Sequence, residues 1–508
     1  MPISVVRIPT EANLKIVTNF LEASHYLFKH ALVQDTAYGT LLREPRRALH
    51  SRIASVLENR FPEVAENQPE ILARHFADAG LIETAASLWG KAGHRSLERA
   101  APVEAEAQFK RALEGIAALP GDPRQRRDQI DLQIGLAKAL MQTKGYNSPE
   151  TKAAFEQTRL FVERAEALRE SVKDPLVVFS VLFGFWMANF VSFKADAVRA
   201  VAEECLSLAL KDEAAIPQVL GHCLLGCALV TCGDFFEGLA HLDRAHALYV
   251  PAQQSQQLSR FGMNAGTITL AWRAYALWAL GRPEAARADI ELGIGDARRI
   301  GHLFTLMGAL HIFGSTQLRL GNIPAAKAQA DEVVALAEEK SAPAFIVHGM
   351  ADQGCVLAAS GAAAKAVPVL ERAIADDRAL ASTVEIPSLL SVLAKCHAEL
   401  GRFDGARRCI AEAIAAAEAS GERWWEADLH RVAGEVELMA PERDMAKAQA
   451  AFERALGIAR AQQARSFELR AAMSLARLRR DQGRRAEARD LLAPVFGWFT
   501  EGFDTPDL

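Results

Sequence analysis

Glycines at 281, 321, 361 and 401 stand forty residues apart, and the residues counted back from each carry most of the side-chain chemistry. Positions 13, 10, 6 and 3 before a glycine share one face of a helix, by steps of three and four. From Gly281 that face carries Ala271, Tyr275 and Trp278, and from Gly321 it carries His311, Ser315 and Leu318. From Gly361 it carries His348 and Cys355, and from Gly401 Ser388, Ser391 and Lys395. Aromatic rings beside a few polar anchors suit recognition of a peptide or a helix of another protein. Tyr275, Trp278, His311, His348 and Lys395 are therefore the candidate partner-binding residues. The alternative is that Trp278 and Cys355 pack between neighbouring units.

Other chemistry is sparse. Cys223 and Cys227 lie four apart on one helical face, with His222 beside them and Cys232 following. Zinc sites usually present paired cysteines in turns, so this group reads as tight helix packing, and no metal or cofactor is expected. The thirteen histidines show no triad spacing. Neither a Gly-x4-Gly-Lys-Ser/Thr phosphate loop, a Gly-x-Ser-x-Gly elbow nor a His-Glu-x-x-His motif occurs, so no catalytic residue is assigned. Residues 460–490 hold nine arginines and four acids, which reads as a solvated helical face because no aromatics interleave.

The elements that position these residues are helical. Half of the 508 residues are apolar, 24% are charged and only 7% are aromatic, a mixture that favours an all-α protein with a real core. Fifty-eight basic residues against 63 acidic ones give −5, so no basic field argues for nucleic acid. Seven cysteines do not make a disulfide framework, and Met1–Arg7 has no secretory pattern, which makes the cytoplasm the expected location. Residues 175–193 and 214–233 are uncharged over nearly the length of a membrane span. Each is followed by a Phe-containing turn and an amphipathic helix, so both read as buried helices of an array and no membrane partner is expected.

The forty-residue period is that of a helical hairpin. Glycine ends the first helix, where a left-handed turn is cheap only without a side-chain branch. Ala286, Ala326, Ala366 and Ala406 follow five residues later, where two helix axes approach closely. The residues at +9 (Ile290, Ala330, Leu370, Ile410, Phe452, Leu492), mostly larger, and those at +12 (Gly293, Val333, Ala373, Ala413, Ala455, Val495), mostly small, continue that face. One such stripe cannot bury itself, so neighbours must stack. Gly233 begins an earlier copy; Trp89, Gly93, Ala105, Phe109 and Ala112 form another; Gly483 with Ala488 closes the series.

These residues resemble the tetratricopeptide repeat. Trp89…Ala92-Gly93…Ala105…Phe109…Ala112 and Leu225-Gly226…Gly233-Asp234-Phe235…Leu242…Ala245 carry its pattern. The usual period is 34, so six extra residues add about 9 Å of helix per pair. HEAT-type repeats also run near forty residues but do not require alanine five after the glycine. The resemblance implies an all-α, tetratricopeptide-like, right-handed superhelical solenoid of long hairpins whose first helices line a concave face.

A second resemblance is narrower. Residues 26–58, Pro69–His75, Lys144–Pro149, Gly421–His430 and Gly497–Leu508 resemble the tail of bacterial proteins that join a class III adenylate/guanylate cyclase, a signalling ATPase and a tetratricopeptide array. On that reading residues 1–24 are an unmatched, poorly ordered lead-in, 25–62 a remnant of the end of the ATPase module, 63–174 irregular hairpins and 175–508 the regular array. The metal-binding aspartates and phosphate loop of such enzymes are missing. The expected function is a non-catalytic interaction or regulatory solenoid, with a protein or peptide on the concave face, or a cyclase/ATPase module in trans. A cyclase assigned by resemblance and a transcription-regulator-like repeat are the alternatives. The first would need the missing residues, and the second a separate DNA-binding domain.

Overall fold

The structure is a computed structural model that describes residues 42–119, 122–168, 176–211, 214–253, 257–258 and 261–508. The lead-in 1–24 and residues 25–41 of the expected remnant lie outside the described residues. Among those described there are 23 α-helices, one 3-10 turn and no strand. The fold class is the one the spacing predicts, an all-helical, tetratricopeptide-like solenoid.

The chain divides into two compact units, Met1–Ala92 with Arg111–Pro120, and Gly93–Lys110 with Gly121–Leu508. The first contains α1 (Arg43–Arg60), α2 (Pro62–Asn67), α3 (Pro69–Asp78) and parts of α4 (Ile82–Glu98) and α5 (Pro102–Ala117). Proline opens α2 and α3, where the missing N–H costs nothing. Ala54, Leu57, Leu72 and Phe76 are buried there. His50 and His75 meet at 2.8 Å between their Nδ1 atoms, and burial lowers the His75 pKa to about 4.

The second unit holds the rest of α4 and α5 and eighteen further helices. They are α6 (Pro123–Lys144), α7 (Pro149–Ala167), α8 (Leu176–Val191), α9 (Ala195–Ala209), α10 (Ala215–Thr231), α11 (Phe235–Leu248), α12 (Ala265–Ala279), α13 (Pro283–Ile300) and α14 (Leu303–Arg319). They continue as α15 (Ile323–Glu339), α16 (Pro343–Ala359), α17 (Ala363–Ala379), α18 (Ile386–Glu399), α19 (Phe403–Ser420), α20 (Glu426–Met439), α21 (Met445–Ala461), α22 (Arg465–Asp481) and α23 (Arg485–Phe496). From α8 onward, even-numbered helices are the first and odd-numbered the second of each hairpin. The turn glycine adopts the left-handed conformation the period requires, with φ of 79° at Gly281 and 80° at Gly321. There Gly281 N–H donates to the Trp278 carbonyl and Arg282 N–H to Leu277, satisfying carbonyls that the helix end leaves free. Ala286, Ala326, Ala366 and Ala406 are all at most 2% exposed.

The two uncharged stretches form α8 and α10, of 16 and 17 residues, and both are buried in the array. No described helix is long and apolar enough to cross a membrane. Cys223 and Cys227 are buried on α10, and His222 bonds to His241 instead, at 2.9 Å. No group of three or more His, Cys, Asp or Glu among the described residues could hold a metal ion.

Within the second unit, first helices also meet chain much further along. The Val191 carbonyl at the end of α8 accepts from the N–H groups of Thr383 and Val384, at 2.8 and 3.1 Å. Thr231, ending α10, accepts from Arg423 and Trp424 at 2.9 and 3.2 Å. Trp278 in α12 accepts from Ser466 Oγ, 188 residues on, and Arg319, ending α14, from Arg470 Nη2 at 3.1 Å. These last-turn carbonyls thus accept from distant donors. The connections that bring two of these donor pairs in, after Ala379 and after Ser420, are longer than the two or three residues joining α13 to α14 or α15 to α16.

Candidate functional site

The first helices α14, α16, α18, α20 and α22 turn one face each toward a cavity of about 560 Å³. The register counted from the turn glycines places that face: Ser315 and Leu318, Cys355 and Ala358, and Ser388, Ser391 and Lys395 all line it. Continuing the count to Gly483 adds Arg470, Met473 and Arg477 from α22. The wall is completed by Glu385, Trp424 and Trp425 from the long connections and by Pro506 and Asp507 from the segment after α23.

The five expected partner-binding residues separate. Lys395 lines the cavity and is exposed. His311 stands behind the wall, 7% exposed, with Nδ1 2.8 Å from Asp352 and Nε2 3.4 Å from Glu385, both wall residues. Those two carboxylates raise the His311 pKa well above its ordinary value despite desolvation by burial, which opposes them. His348 stacks on it at 4.8 Å and 14°; burial, reinforced by the charge of His311, lowers its pKa to about 4. The pKa values of the two stacked imidazoles are thus pushed in opposite directions.

Tyr275 and Trp278 do not face an open groove. They are 1% and 2% exposed. The connection carrying Trp424 and Trp425 enters beside them: Tyr275 lies 4.9 Å from Trp424 and 6.2 Å from Trp425, ring centre to ring centre. Phe467 of α22 covers Trp278 at 5.1 Å. Direct partner contact by these two rings is replaced by packing, because chain from four and five hairpins further along fills the space in front of them.

That aromatic layer forms the floor under a half-buried cation. The Arg319 guanidinium sits 3.9 Å above the Trp425 ring, 5.3 Å from Tyr275 and 5.7 Å from Trp278. Its Nη1 donates to the Ser315 carbonyl and, at 2.6 Å, to Ser315 Oγ, while its buried Nε has no partner. Desolvation by burial lowers its pKa. On the facing helices Arg431 bridges Asp428 and Glu435 at 2.6 and 2.5 Å, and Arg470 holds Asp507 at 2.7 Å. Glu422, 1% exposed, accepts from Trp424 Nε1 at 2.6 Å and from the Glu385 N–H at 3.1 Å. Its other oxygen has no partner, and burial pushes its pKa to about 8. This bond holds Glu385, a non-glycine residue at φ 72°, in place at the start of α18.

Sequence reasoning missed Arg319, Arg470, Glu385 and Glu422. The signal for the last lay in Gly421-Glu-Arg-Trp-Trp, a connection too rich in large side chains for an exposed turn. The arginine-rich stretch is mostly paired within itself, Arg460 and Arg465 on Glu468, Arg484 on Glu487 and Arg489 on Asp490.

A family model of the tetratricopeptide repeat matches residues 268–288, 387–412 and 469–494. An uncharacterised protein of Rhizobium meliloti (strain 1021) is 25% identical over 460 residues. The match covers 89% of this chain but 43% of that protein, so the chain spans less than half the length of the curated relative it matches. The solved structure of NprR with its cognate peptide NprX is 13% identical, covering 75% of this chain and 98% of that one with a TM-score of 0.48. A Rap protein complexed with Competence and Sporulation Factor is 12% identical, covering 82% and 99%, with a TM-score of 0.40. The chain is an all-helical protein built of tetratricopeptide-type repeats.

Proposed function

We propose that the chain is a non-catalytic regulatory module that captures a peptide, or an extended segment of another protein, in the cavity between its first helices. The observation that carries this reading is the cavity itself. Five successive first helices give it one continuous wall, with serines, alternating charges and indole rings within reach of a backbone in extended form. A volume of about 560 Å³ suits a few residues of such a segment rather than a folded domain. Its acids other than Glu399 are held in ion pairs, as a preformed recognition site requires.

A finer reading makes this module the sensing tail of a bacterial cyclase–ATPase system, with residues 25–62 the end of the ATPase module. It is supported by the motif resemblance at 26–58, Gly421–His430 and Gly497–Leu508, and by a relative more than twice as long as the matched stretch. Adding the chain to a cyclase–ATPase protein of this kind and finding its cyclic-nucleotide output unchanged would count against it.

The peptide reading is tested by passing a random decapeptide pool over the immobilised full chain and over Ala358→Trp, whose indole fills the cavity. Retention by the first and not the second supports capture in the cavity. Equal retention places binding elsewhere, and no retention by either ends the reading.

A further inference from the structure

The charges on the cavity wall are not evenly satisfied. The acids are engaged: Asp428 and Glu435 on Arg431, Asp507 on Arg470, Asp352 and Glu385 on His311; Glu399 alone stands at the exposed end of α18. Three wall cations, Arg319, Lys395 and Arg477, make no ion pair within 4 Å among the described residues. Arg319 is the deepest, with its Nε buried and unpartnered. Arg319 is half-buried and has no carboxylate within 4 Å, Glu385 acting on it only from further off, so this site gains more from an arriving carboxylate than an exposed pair does.

A second observation gives the chemistry of the occupant. Arg319 and Arg470 flank the Trp278 ring, their guanidinium carbons 5.7 and 5.0 Å from its centre, and Arg470 donates to the Arg319 carbonyl. Only Arg470 of the two has a carboxylate partner, Asp507, carried in by a turn-rich segment whose Pro506 abuts Gly321. The cavity therefore already binds a carboxylate presented by a non-helical stretch of chain, and has charge for a second.

Resting on the peptide reading above, we infer that this end of the cavity is a carboxylate subsite: an acidic side chain of the bound peptide is received by Arg319 over the face of Trp425, beside Asp507 on Arg470. Lys395 and Arg477, at the exposed rim, attract the acidic segment and add to its binding in low salt.

Two decapeptide pools with acetylated and amidated ends test this, one with a single Glu at varied positions and the other with Gln in its place. The full chain should retain the Glu pool about tenfold more strongly, the worth of one charge-assisted bond. Arg319→Gln should abolish the preference, and Asp507→Asn, which frees Arg470, should enlarge it. Because Arg319 packs on Trp425, the exposed pair Lys395→Gln/Arg477→Gln carries the test if that variant does not fold, and should reduce the preference severalfold at low salt. Equal retention of both pools overturns the subsite while leaving peptide capture standing. A preference that survives Arg319→Gln, or one untouched by the exposed double variant, overturns it as well. Retention of neither pool removes the subsite and the peptide reading together.

Discussion

Replacing Glu422 by Gln should stabilise the protein, and by an amount that depends on pH. The carboxyl is 1% exposed, keeps one oxygen unpartnered, and has its pKa pushed from 4.5 to about 8. Below pH 4.5 the folded and unfolded chains both hold the proton, and burial carries no ionisation cost. As pH rises, the unfolded chain releases it while the folded chain keeps it until about pH 8, so stability falls throughout that window. At pH 7 the loss is about 3 kcal/mol, from 2.5 pH units at ~1.36 kcal/mol each. Gln keeps the carbonyl that accepts from Trp424 Nε1 and the Glu385 N–H and cannot ionise. Urea unfolding followed by tryptophan fluorescence should therefore show the variant gaining ~3 kcal/mol at pH 7 and little at pH 4.5. A difference of the same size at both pH values would refute the reasoning, because it would come from packing and not from the proton.

Three further expectations follow from packing and titration. Ala366→Leu, at a position 0% exposed where two helices cross, should cost about 1–3 kcal/mol in thermal or urea melts, and Ala326→Leu the same. Ser466→Ala removes the Oγ–H bond to the Trp278 carbonyl, which keeps its bond from Gly281, so a loss of about 1 kcal/mol is expected by the same melts. His75, His222, His302, His348 and His430 all have folded pKa values lowered to about 4 by burial. Their share of stability is full above pH 6.5 and lost as pH falls toward 4, so melting temperatures should drop steeply across that interval.

The sequence carried the repeat and the face that lines the cavity. Small residues five and twelve after each glycine can only be packing positions in a close helix pair, and counting back from the glycine fixes which side of the first helix is left. That is why Ser315, Cys355, Ser388 and Lys395 fall on the wall. Local periodicity has no term for chain four or five hairpins away. It therefore placed Tyr275 and Trp278 on an open face, when Trp424, Trp425 and Phe467 bury them. His311 and His348 fall on the counted faces of neighbouring first helices, but the pairing of His311 with Glu385 depends on how the connection after Ala379 is folded. Arg319 stands one residue beyond the counted positions and is indistinguishable, in sequence, from any arginine at a helix end.

The distant caps on Val191, Thr231, Trp278 and Arg319 alter how such an array must fold. In a row of repeats that touch only their neighbours, nucleation can start anywhere and end units can fray singly. Here hydrogen bonds close loops of 151 and 188 residues, and closing them is an entropic barrier that no single hairpin can cross alone. These few long-range contacts raise the contact order above that of an array of nearest-neighbour repeats, so slower folding and more cooperative unfolding of the closed stretch are expected. Cutting away the hairpins after α18 would then not shorten the protein by a few repeats; it would uncap the hairpins made first and expose the Tyr275–Trp278 layer to water.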